Sequence, residues 1–391
     1  MLMLSSSGSH PLARFVLLFA VMYAGFGVAS PFLPRFLQAR GLEAEEIGIV
    51  LAAGTGVRLL AGPAAGRLAD RLAALRAVLG VCVAGAALAA LGYLPVSGFR
   101  PLLLVAVVHA AALAPTTTLA DALALAASGR PRNGFEYGWV RGCGSAAFVL
   151  GSILAGQAIG ALGLSAIVWL QAGLLAATAC CALLVPYAAS APRPVSDRER
   201  TSSANLRVLI ALPPFRRLVL IAALVLGSHA MHDAFAVIRW SAAGISPATT
   251  SMLWSESVAA EVFVFFLVGP ALLTKLGPAG AMALAAAAGT LRWAVMAESA
   301  DVVALALMQP LHGLTFALFH LACMRVLGTI VPPGLAATAQ AIYGTLAIGA
   351  ATAVLTLLSG VIYGRLGAHG FWIMAALCAA ALPLTIGLRR L

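Results

Sequence analysis

The stretch FVLLFAVMYAGFGVASPFLPRF, residues 15–36, sets the interpretation of the whole chain. Its only charged residue is Arg35, next to its end. A helix of about 20 apolar residues is long enough to cross the hydrocarbon core of a bilayer. The run is also longer than the apolar core of a cleaved signal peptide. We therefore expect this stretch to remain in the protein as a first membrane-spanning helix.

Similar apolar runs recur along all 391 residues. Hydrophobic residues make up 62% of the chain and charged residues 9%, whereas roughly a quarter of a soluble domain is charged. The runs are too long for barrel strands and lack their alternation. The sequence thus predicts an all-α membrane protein with twelve transmembrane helices in two six-helix bundles. The predicted spans are residues 14–38, 45–69, 74–94, 100–127, 137–160, 163–187, 213–240, 248–274, 278–297, 300–327, 334–363 and 367–388.

One long polar stretch, Ala188 to Asn205, interrupts this pattern near its midpoint. Its arginines, serines and prolines are typical of a flexible linker. We therefore predict an N-terminal bundle over residues 1–187, a cytoplasmic linker over 188–212 and a C-terminal bundle over 213–391. The spans and their turns leave no room for a soluble catalytic domain.

Arginine is concentrated in alternate loops, which predicts the orientation of the chain. Cytoplasmic loops of membrane proteins are enriched in arginine and lysine. The same rule explains the net charge of +11 without a nucleic-acid partner. We expect a multi-pass protein of the bacterial inner membrane with both termini and the linker in the cytoplasm. The arginines of the predicted cytoplasmic side are Arg67, Arg71, Arg76, Arg130, Arg132, Arg193, Arg198, Arg200, Arg207, Arg216, Arg217, Arg389 and Arg390.

Several enzyme and cofactor motifs are missing from the sequence. It has no G-x-x-x-x-G-K-[ST] for ATP, and neither H-E-x-x-H nor G-x-S-x-G. The six cysteines lie in apolar runs without metal-ligand spacing. His229-x-x-His232-Asp233 has the spacing of metal ligands on one helix face, but a polar cluster along a transport pathway is the favoured interpretation. We expect no enzyme activity, no cofactor and no metal.

Between the second and third predicted spans lies Gly66-Arg67-Leu68-Ala69-Asp70-Arg71. This hexapeptide resembles the G-x-L-a-D-r signature of the major facilitator superfamily. An aspartate there can accept hydrogen bonds from the start of a neighbouring helix. The resemblance implies a gating latch, formed by Gly66, Asp70 and Arg71, that breaks when the two bundles rock.

A second resemblance covers both halves and is to the phenylpropionate permease family, which is related to the lactose permease and to nucleoside symporters. The stretches that carry it are Val57-Arg58, Asp121-Ala122-Leu123-Ala124, Tyr137 to Ser145, Ala260-Glu261-Val262, Leu291-Arg292-Trp293, Gln309 to Gly313 with His320 and Arg325, and Ala337 to Tyr343. The resemblance implies a secondary transporter of small organic acids.

Ionisable side chains inside predicted spans are expensive unless they are paired or hydrated. They indicate a central hydrated cavity, although some of them are expected to form structural pairs. From these residues and the family stretches we select candidates for substrate binding. They are Arg58, Asp121, Arg141, Phe148, His232, Arg292, Gln309, Gln340 and Tyr343.

The predicted proton-coupling residues are Glu261, Glu256, His312 and His320. A histidine suits proton relay because it titrates near neutral pH. In the lactose permease a carboxylate follows the corresponding histidine by three residues, whereas Thr315 stands there in this chain. We therefore place the proton on Glu261 first and on Glu256 second; on one helix these two would point about 140° apart.

The arginines are the candidate anion sites. Arg292 is expected either to hold a span-eight glutamate or to bind a substrate carboxylate in a bidentate manner. Arg141 matches a sugar-binding arginine of the lactose permease, but Phe148 replaces its stacking tryptophan, which disfavours a sugar.

The sequence as a whole predicts a proton-coupled importer of a small, aromatic or other organic acid. A nucleoside or sugar symporter and an efflux transporter of the same fold remain open, as do a membrane enzyme and a ligand sensor that does not transport. The expected partners are a small-molecule substrate, protons and the lipid bilayer. We expect a monomer.

Overall fold

A computed structural model describes residues 11–128, 135–186, 202–332 and 334–388. Regular structure in these ranges is helical, with no strand, which confirms the predicted all-α class. Most of the predicted linker and the arginines at 130, 132, 193, 198, 200, 389 and 390 lie outside the described residues. The end of the predicted linker, however, is helical over Ser202–Ala211.

The described part of the first half contains eight α-helices. Short breaks at Ser30–Phe32 and Ala114–Pro115 divide two of the predicted spans into helix pairs. The bounds are α1 Pro11–Ala29, α2 Leu33–Ala39, α3 Ala44–Arg71, α4 Leu75–Leu91, α5 Phe99–Leu113, α6 Thr116–Ser128, α7 Tyr137–Leu162 and α8 Ala166–Leu184.

In the second half, residues 202–332 and 334–388 form ten α-helices and three π-helical stretches, named πA, πB and πC in chain order. The α-helices are α9 Ser202–Ala211, α10 Pro213–Gly227, α11 His229–Ala242, α12 Pro247–Phe263, α13 Gly269–Glu298, α14 Val302–Met308, α15 Phe319–Ile330, α16 Ala336–Ile342, α17 Ala351–Leu366 and α18 Phe371–Ile386. The π-helices are πA Val264–Val268, πB Gly313–Leu318 and πC Tyr343–Ala350, and a 3₁₀ turn covers Gly367–Gly370.

Across the described ranges, nine helices are long and apolar enough to cross a membrane. Some of these join consecutive elements. The stretch Pro247–Glu298, for example, counts as one, although Gly277 inside it has a non-helical φ of 66° and ψ of 170°. A glycine followed by Pro278 breaks a helix there, because proline cannot continue the backbone hydrogen bonds of the preceding turn. The break lies between the predicted spans 248–274 and 278–297.

Helices dominate because a backbone in lipid must satisfy its own polar groups. Where helices begin near the polar edges, side chains cap them. Glu43 and Glu46 form a reciprocal capping box at the start of α3, and Ser246 accepts the backbone N–H of Thr249 at the start of α12. Asp301 does the same for Ala304 before α14.

The two halves pack against each other through α3 with α17, α7 with α12, and α2 with α11. Small residues allow the close approach. A Cβ at Gly48 would lie 2.9 Å from the Cα of Gly360, and one at Gly156 would lie 2.2 Å from Oγ of Ser251. We call this the closed end of the molecule, defined by the start of α3, the end of α7, the start of α12 and the end of α17.

Other contacts define the opposite end. Arg14 donates to the carbonyl of Leu184 at 3.1 Å, and Arg76 donates to the carbonyl of Val185 at 3.4 Å. These bonds join the starts of α1 and α4 to the end of α8. Asp70 lies beside them, at the end of α3, so we call this the motif end.

Three apolar clusters hold the fold. One lies within the first half and contains Phe15 and Phe19, and a second lies within the second half and contains Phe215 and Phe319. The third joins both halves. Each half therefore has its own core.

Candidate functional site

Arg292 on α13 is the centre of a buried polar cluster and is fully buried itself. Its guanidinium donates to His312 Nδ1 at 3.1 Å, to His232 Nε2 at 3.4 Å and to Gln309 Oε1 at 2.7 Å. It also lies over the ring of Trp293, with Cζ 4.5 Å from the ring centre. Neutral acceptors and an aromatic face therefore hold this cation.

The two histidines around Arg292 each have a carboxylate on their far side. His232 Nδ1 is 3.2 Å from Asp233 Oδ1, and His312 Nε2 is 3.6 Å from Glu261 Oε2. Because a guanidinium only donates, each imidazole accepts from Arg292 with one nitrogen. A neutral imidazole then carries its proton on the other nitrogen, which faces the carboxylate.

These contacts form one continuous chain from Asp233 through His232, Arg292 and His312 to Glu261. It joins three α-helices, because Asp233 and His232 lie on α11, Arg292 on α13, and Glu261 on α12. His312 immediately precedes πB. Two carboxylates thus share a single buried arginine through two histidines.

A close helix crossing positions Glu261 beside His312. A Cβ at Gly313 would lie 2.6 Å from the carbonyl oxygen of Ala260, so only glycine fits at this crossing. Both helices turn π-helical next to it, πA after Glu261 and πB after His312. Such π-turns are frequent at functional sites. The sequence predicted one continuous α-helix through His312 and His320. The π-helical turn πB lies between them and changes the directions in which their side chains point around the helix axis.

A second layer of contacts supports the cluster. His229 lies near Thr315, with Nε2 3.0 Å from Oγ1, and its Nδ1 lies 3.1 Å from the carbonyl oxygen of Val225. Trp293 donates to Ser228 at 2.9 Å. His229 and His232 therefore have different hydrogen-bond partners, while both rings contact Trp293. Within the described ranges, no group of three or more His, Cys, Asp or Glu is arranged to hold a metal ion.

Two neighbouring spaces lie beside these side chains. The first, the aromatic chamber, has a volume of about 370 Å³ and includes Phe148, Trp254 and Phe316 in its wall, together with His232 and His312. The ring of Trp254 stacks on His232 at 5.0 Å. Aromatic and polar groups thus face the same space.

The second space, the Arg58 chamber, comprises two adjacent pockets of about 350 Å³ each, one lined by residues of both halves and the other by residues of the first half alone. Arg58 and His109 line both of them. Ser30, Asp233 and Thr352 belong to the walls of both this chamber and the aromatic chamber. The two chambers are therefore adjacent.

The other predicted residues of the first half have local partners. Asp121 accepts a hydrogen bond of 2.7 Å from the hydroxyl of Tyr137, and Arg141 lies over the ring of Tyr23 at 4.8 Å. The charges of Arg141 and Glu261 also interact across the boundary between the halves. Asp121 is thus held within the first half, whereas Arg141 faces the second.

Four predicted residues of the second half lie outside the chain of contacts around Arg292. Glu256 is partly exposed on α12, and Gln340 is exposed on α16. Tyr343 is buried in the apolar cluster of the second half, with His320 6.4 Å away between ring centres. The sequence placed these four residues in one predicted site with Glu261. In the structure, Gln340 and Tyr343 line neither chamber.

The predicted gating residues lie at the motif end of α3. Asp70 and Arg71 are exposed, and Gly66 is partly exposed. Among the described residues, no side-chain hydrogen bond or ion pair joins Asp70 to a neighbouring helix. The latch stays a prediction.

Sequence reasoning missed several side chains that line the chambers. His109, Trp254 and Ser30 were not selected, although a histidine within a predicted span is itself a signal of function. Trp254 offers no such signal, because a tryptophan in an apolar helix more often packs against lipid or core. Trp254 lines the aromatic chamber because its helix, α12, packs beside α11, which carries His232.

Comparison with known proteins gives concordant results. A family model described as "MFS_1 like family" matches residues 12–374. The chain is 29% identical over 364 residues to the "Probable 3-phenylpropionic acid transporter" of Escherichia coli (strain K12), covering 92% of this chain and 93% of that protein.

Solved structures share the fold. A point mutant of the nucleoside transporter NupG superposes with a TM-score of 0.85 at 18% identity, over 97% of this chain and 100% of that one. The POT family transporter PepTSo superposes with a TM-score of 0.73 at 12% identity, over 97% of each chain. These similarities support an all-helical, multi-pass membrane transporter and the fold of the major facilitators.

Proposed function

This chain belongs to the MFS_1 like family, and from that premise we propose that it is a proton-coupled importer of small aromatic organic acids. The observation that carries the proposal is the aromatic chamber, whose wall also contains two histidines of the chain of contacts that links Asp233 to Glu261. Membership of a transporter family supports transport as the activity. The aromatic residues of this wall support an aromatic substrate, and its histidines support the proton as the coupling ion.

The proposed architecture has twelve spans in two six-helix bundles around a central cavity, as in other transporters built from repeats. The helix break at Gly277 supports separate eighth and ninth spans. The separate apolar core of each half supports two bundles that move as bodies. Because both halves of one chain line the aromatic chamber, the proposed transporting unit is a monomer.

The proposed substrate is an arylalkyl carboxylate. Phe148, Trp254 and Phe316 offer apolar and aromatic surface to a ring, and about 370 Å³ suits a small molecule. The named Escherichia coli relative supports the same class, since 3-phenylpropionic acid has one aromatic ring and one carboxylate. Arg58, Arg141 and Arg292 are the candidate partners of that carboxylate.

The charges around Glu261 support proton coupling. With neutral histidines, the chain of contacts contains two carboxylates and the cation of Arg292, and Arg141 adds a second positive charge whose interaction with Glu261 crosses the boundary between the halves. Protonation of Glu261 changes this balance, and an uncompensated charge is costly when a cavity closes around it. Glu261 is the proposed proton site, because its Oε2 lies 3.6 Å from Nε2 of His312 and its charge interacts with that of Arg141.

In this conformation the closed end packs the halves together at Gly48 and Gly360. Arginine-rich loops at the motif end support a cytoplasmic location for that end and for both termini in a bacterial inner membrane. The proposed conformation is therefore inward-facing. Asp70 would then form its latch only when the motif end closes, in the outward-facing state.

Transport into vesicles tests the proposal. Purified protein is reconstituted into proteoliposomes, and uptake of radiolabelled 3-phenylpropionate is measured with an inward proton gradient, with no gradient and with a protonophore. We expect accumulation above the outside concentration with the gradient alone, and none with the protonophore. Saturating uridine and lactose are the competitors. Uptake of labelled uridine and labelled lactose is measured in parallel, and uptake of either with none of 3-phenylpropionate would replace the proposed substrate class.

A further inference from the structure

Arg58 differs from the other arginines near the cavity. Its side chain is exposed, it lines both pockets of the Arg58 chamber, and within the described ranges no hydrogen bond or ion pair joins it to another side chain. Arg292, in contrast, is fully buried with three hydrogen-bond acceptors. Arg141 stacks on Tyr23 and faces Glu261. Arg58 is therefore the guanidinium that is available to a ligand.

His109 on α5 lines the same two pockets and is only 4% exposed. Its Nε2 atom is buried and has no hydrogen-bond partner in the part of the chain that the structure describes. The ring is held edge-on against Tyr93, with 5.7 Å between ring centres. A buried polar atom without a partner is costly, so one beside a cavity indicates a missing ligand atom.

We propose that Arg58 and His109 form the site that binds the substrate's carboxylate, with the aromatic ring extending into the aromatic chamber. The inference rests on the proposed function and selects one of its three candidate arginines. Arg58 supplies charge and paired N–H donors, and His109 supplies one N–H from Nε2. The substrate's aromatic ring would extend from the Arg58 chamber into the aromatic chamber past Ser30 and Thr352, which line both chambers.

The chamber also contains one carboxylate, Asp233, whose side chain is 58% exposed. Asp233 lies against His232 rather than within ion-pair distance of Arg58. Arg58 thus remains free for the anion, and a single available guanidinium suits a monocarboxylate better than a dicarboxylate.

Isothermal titration of the purified full-length protein tests this site with two probes, 3-phenylpropionate and its neutral isostere 3-phenylpropanamide. The wild type is expected to prefer the acid. Arg58→Gln should weaken acid binding about 10- to 100-fold and leave amide binding unchanged, because a charge-assisted hydrogen bond contributes that much. Arg58→Lys should lose less, and Arg100→Gln, at the exposed start of the helix that carries His109, should keep the preference.

His109 is tested by two substitutions in the same assay. His109→Gln places an amide N–H near the position of Nε2 and should retain acid binding, whereas His109→Leu should weaken it about 3- to 30-fold. Equal loss of acid and amide binding in the leucine variant would indicate a structural role and contradict the proposal for His109.

The outcomes separate this site from the proposed function. Unchanged acid affinity in Arg58→Gln overturns the site while the substrate class stands. Binding of hexanoate but not of aromatic acids, lost in Arg58→Gln, overturns the aromatic substrate while the carboxylate site stands. A folded wild type that binds none of these acids overturns both.

Discussion

Glu261 Oε2 lies 3.6 Å from Nε2 of His312, and His312 accepts a hydrogen bond from Arg292 on its other nitrogen. Sequence reasoning expected Arg292 as a possible direct partner of the glutamate. In the structure the imidazole of His312 lies between the carboxylate of Glu261 and the guanidinium of Arg292, and an imidazole can itself carry a proton. Substitution of Glu261 is therefore the most direct test of proton coupling.

Glu261→Gln is expected to abolish uphill accumulation and to preserve substrate exchange. A neutral amide mimics the protonated acid, so the loaded carrier still reorients but loses its link to the proton gradient. The measurements are uptake driven by an imposed pH gradient and counterflow without a gradient. Glu256→Gln, five residues away on the same helix and partly exposed, is the matched control and should keep accumulating substrate.

Accumulation by Glu261→Gln but not by Glu256→Gln would exchange the roles of the two glutamates. Accumulation by both variants would indicate either that the histidines carry the proton or that transport is not coupled to protons.

Arg292→Gln is expected to destabilise the protein by about 3–5 kcal/mol, as removal of one member of a buried charged cluster typically does. The substitution leaves Asp233 and Glu261 without their shared cation, and Gln309 without its donor. Thermal unfolding in detergent should show a clearly lower melting temperature. Arg325→Gln on the exposed side of α15 is the control and should melt like the wild type. An unchanged melting temperature for Arg292→Gln would mean that the cluster contributes little to stability.

Gly48→Leu is expected to hold the closed end apart, because even a Cβ there would lie 2.9 Å from the Gly360 backbone. Spin labels at Ala161 and Ala243, in a background without the native cysteines, report the separation of the halves at that end. The distance should increase in Gly48→Leu. Gly56→Leu is the control on the same helix, since a Cβ at Gly56 meets no atom within 4 Å. The same distance in both variants would contradict packing of the halves at Gly48.

Asp70→Asn is expected to impair transport more than substrate binding. Asp70 lies at the motif end, away from both chambers, and its proposed latch forms only when that end closes. Uptake rate and affinity for 3-phenylpropionate are measured on the same preparation. Equal losses in rate and affinity would show that the aspartate supports folding or the binding site rather than gating.

The sequence alone determined the membrane environment, the helical class and the ionisable residues of interest. Apolar runs of about 20 residues permit little else, because a backbone in lipid must form its own hydrogen bonds. For the same reason, Arg292, Glu261, His232 and His312 stood out, since an ionisable group in such a run requires a partner or water. Length and local composition carry this information.

Tertiary structure decided which of these residues meet. The family stretches brought Tyr343 and Gln340 into the predicted site, and that selection left out His109 and Trp254. Their places depend on helix crossings such as Gly313 against Ala260, and on π-turns that rotate the following residues. Contacts between segments distant in sequence arise from the packing of whole helices, which no local pattern encodes. Only the tertiary structure therefore reveals the chain of contacts from Asp233 to Glu261, and the exposed Arg58 beside a His109 whose Nε2 has no hydrogen-bond partner among the described residues.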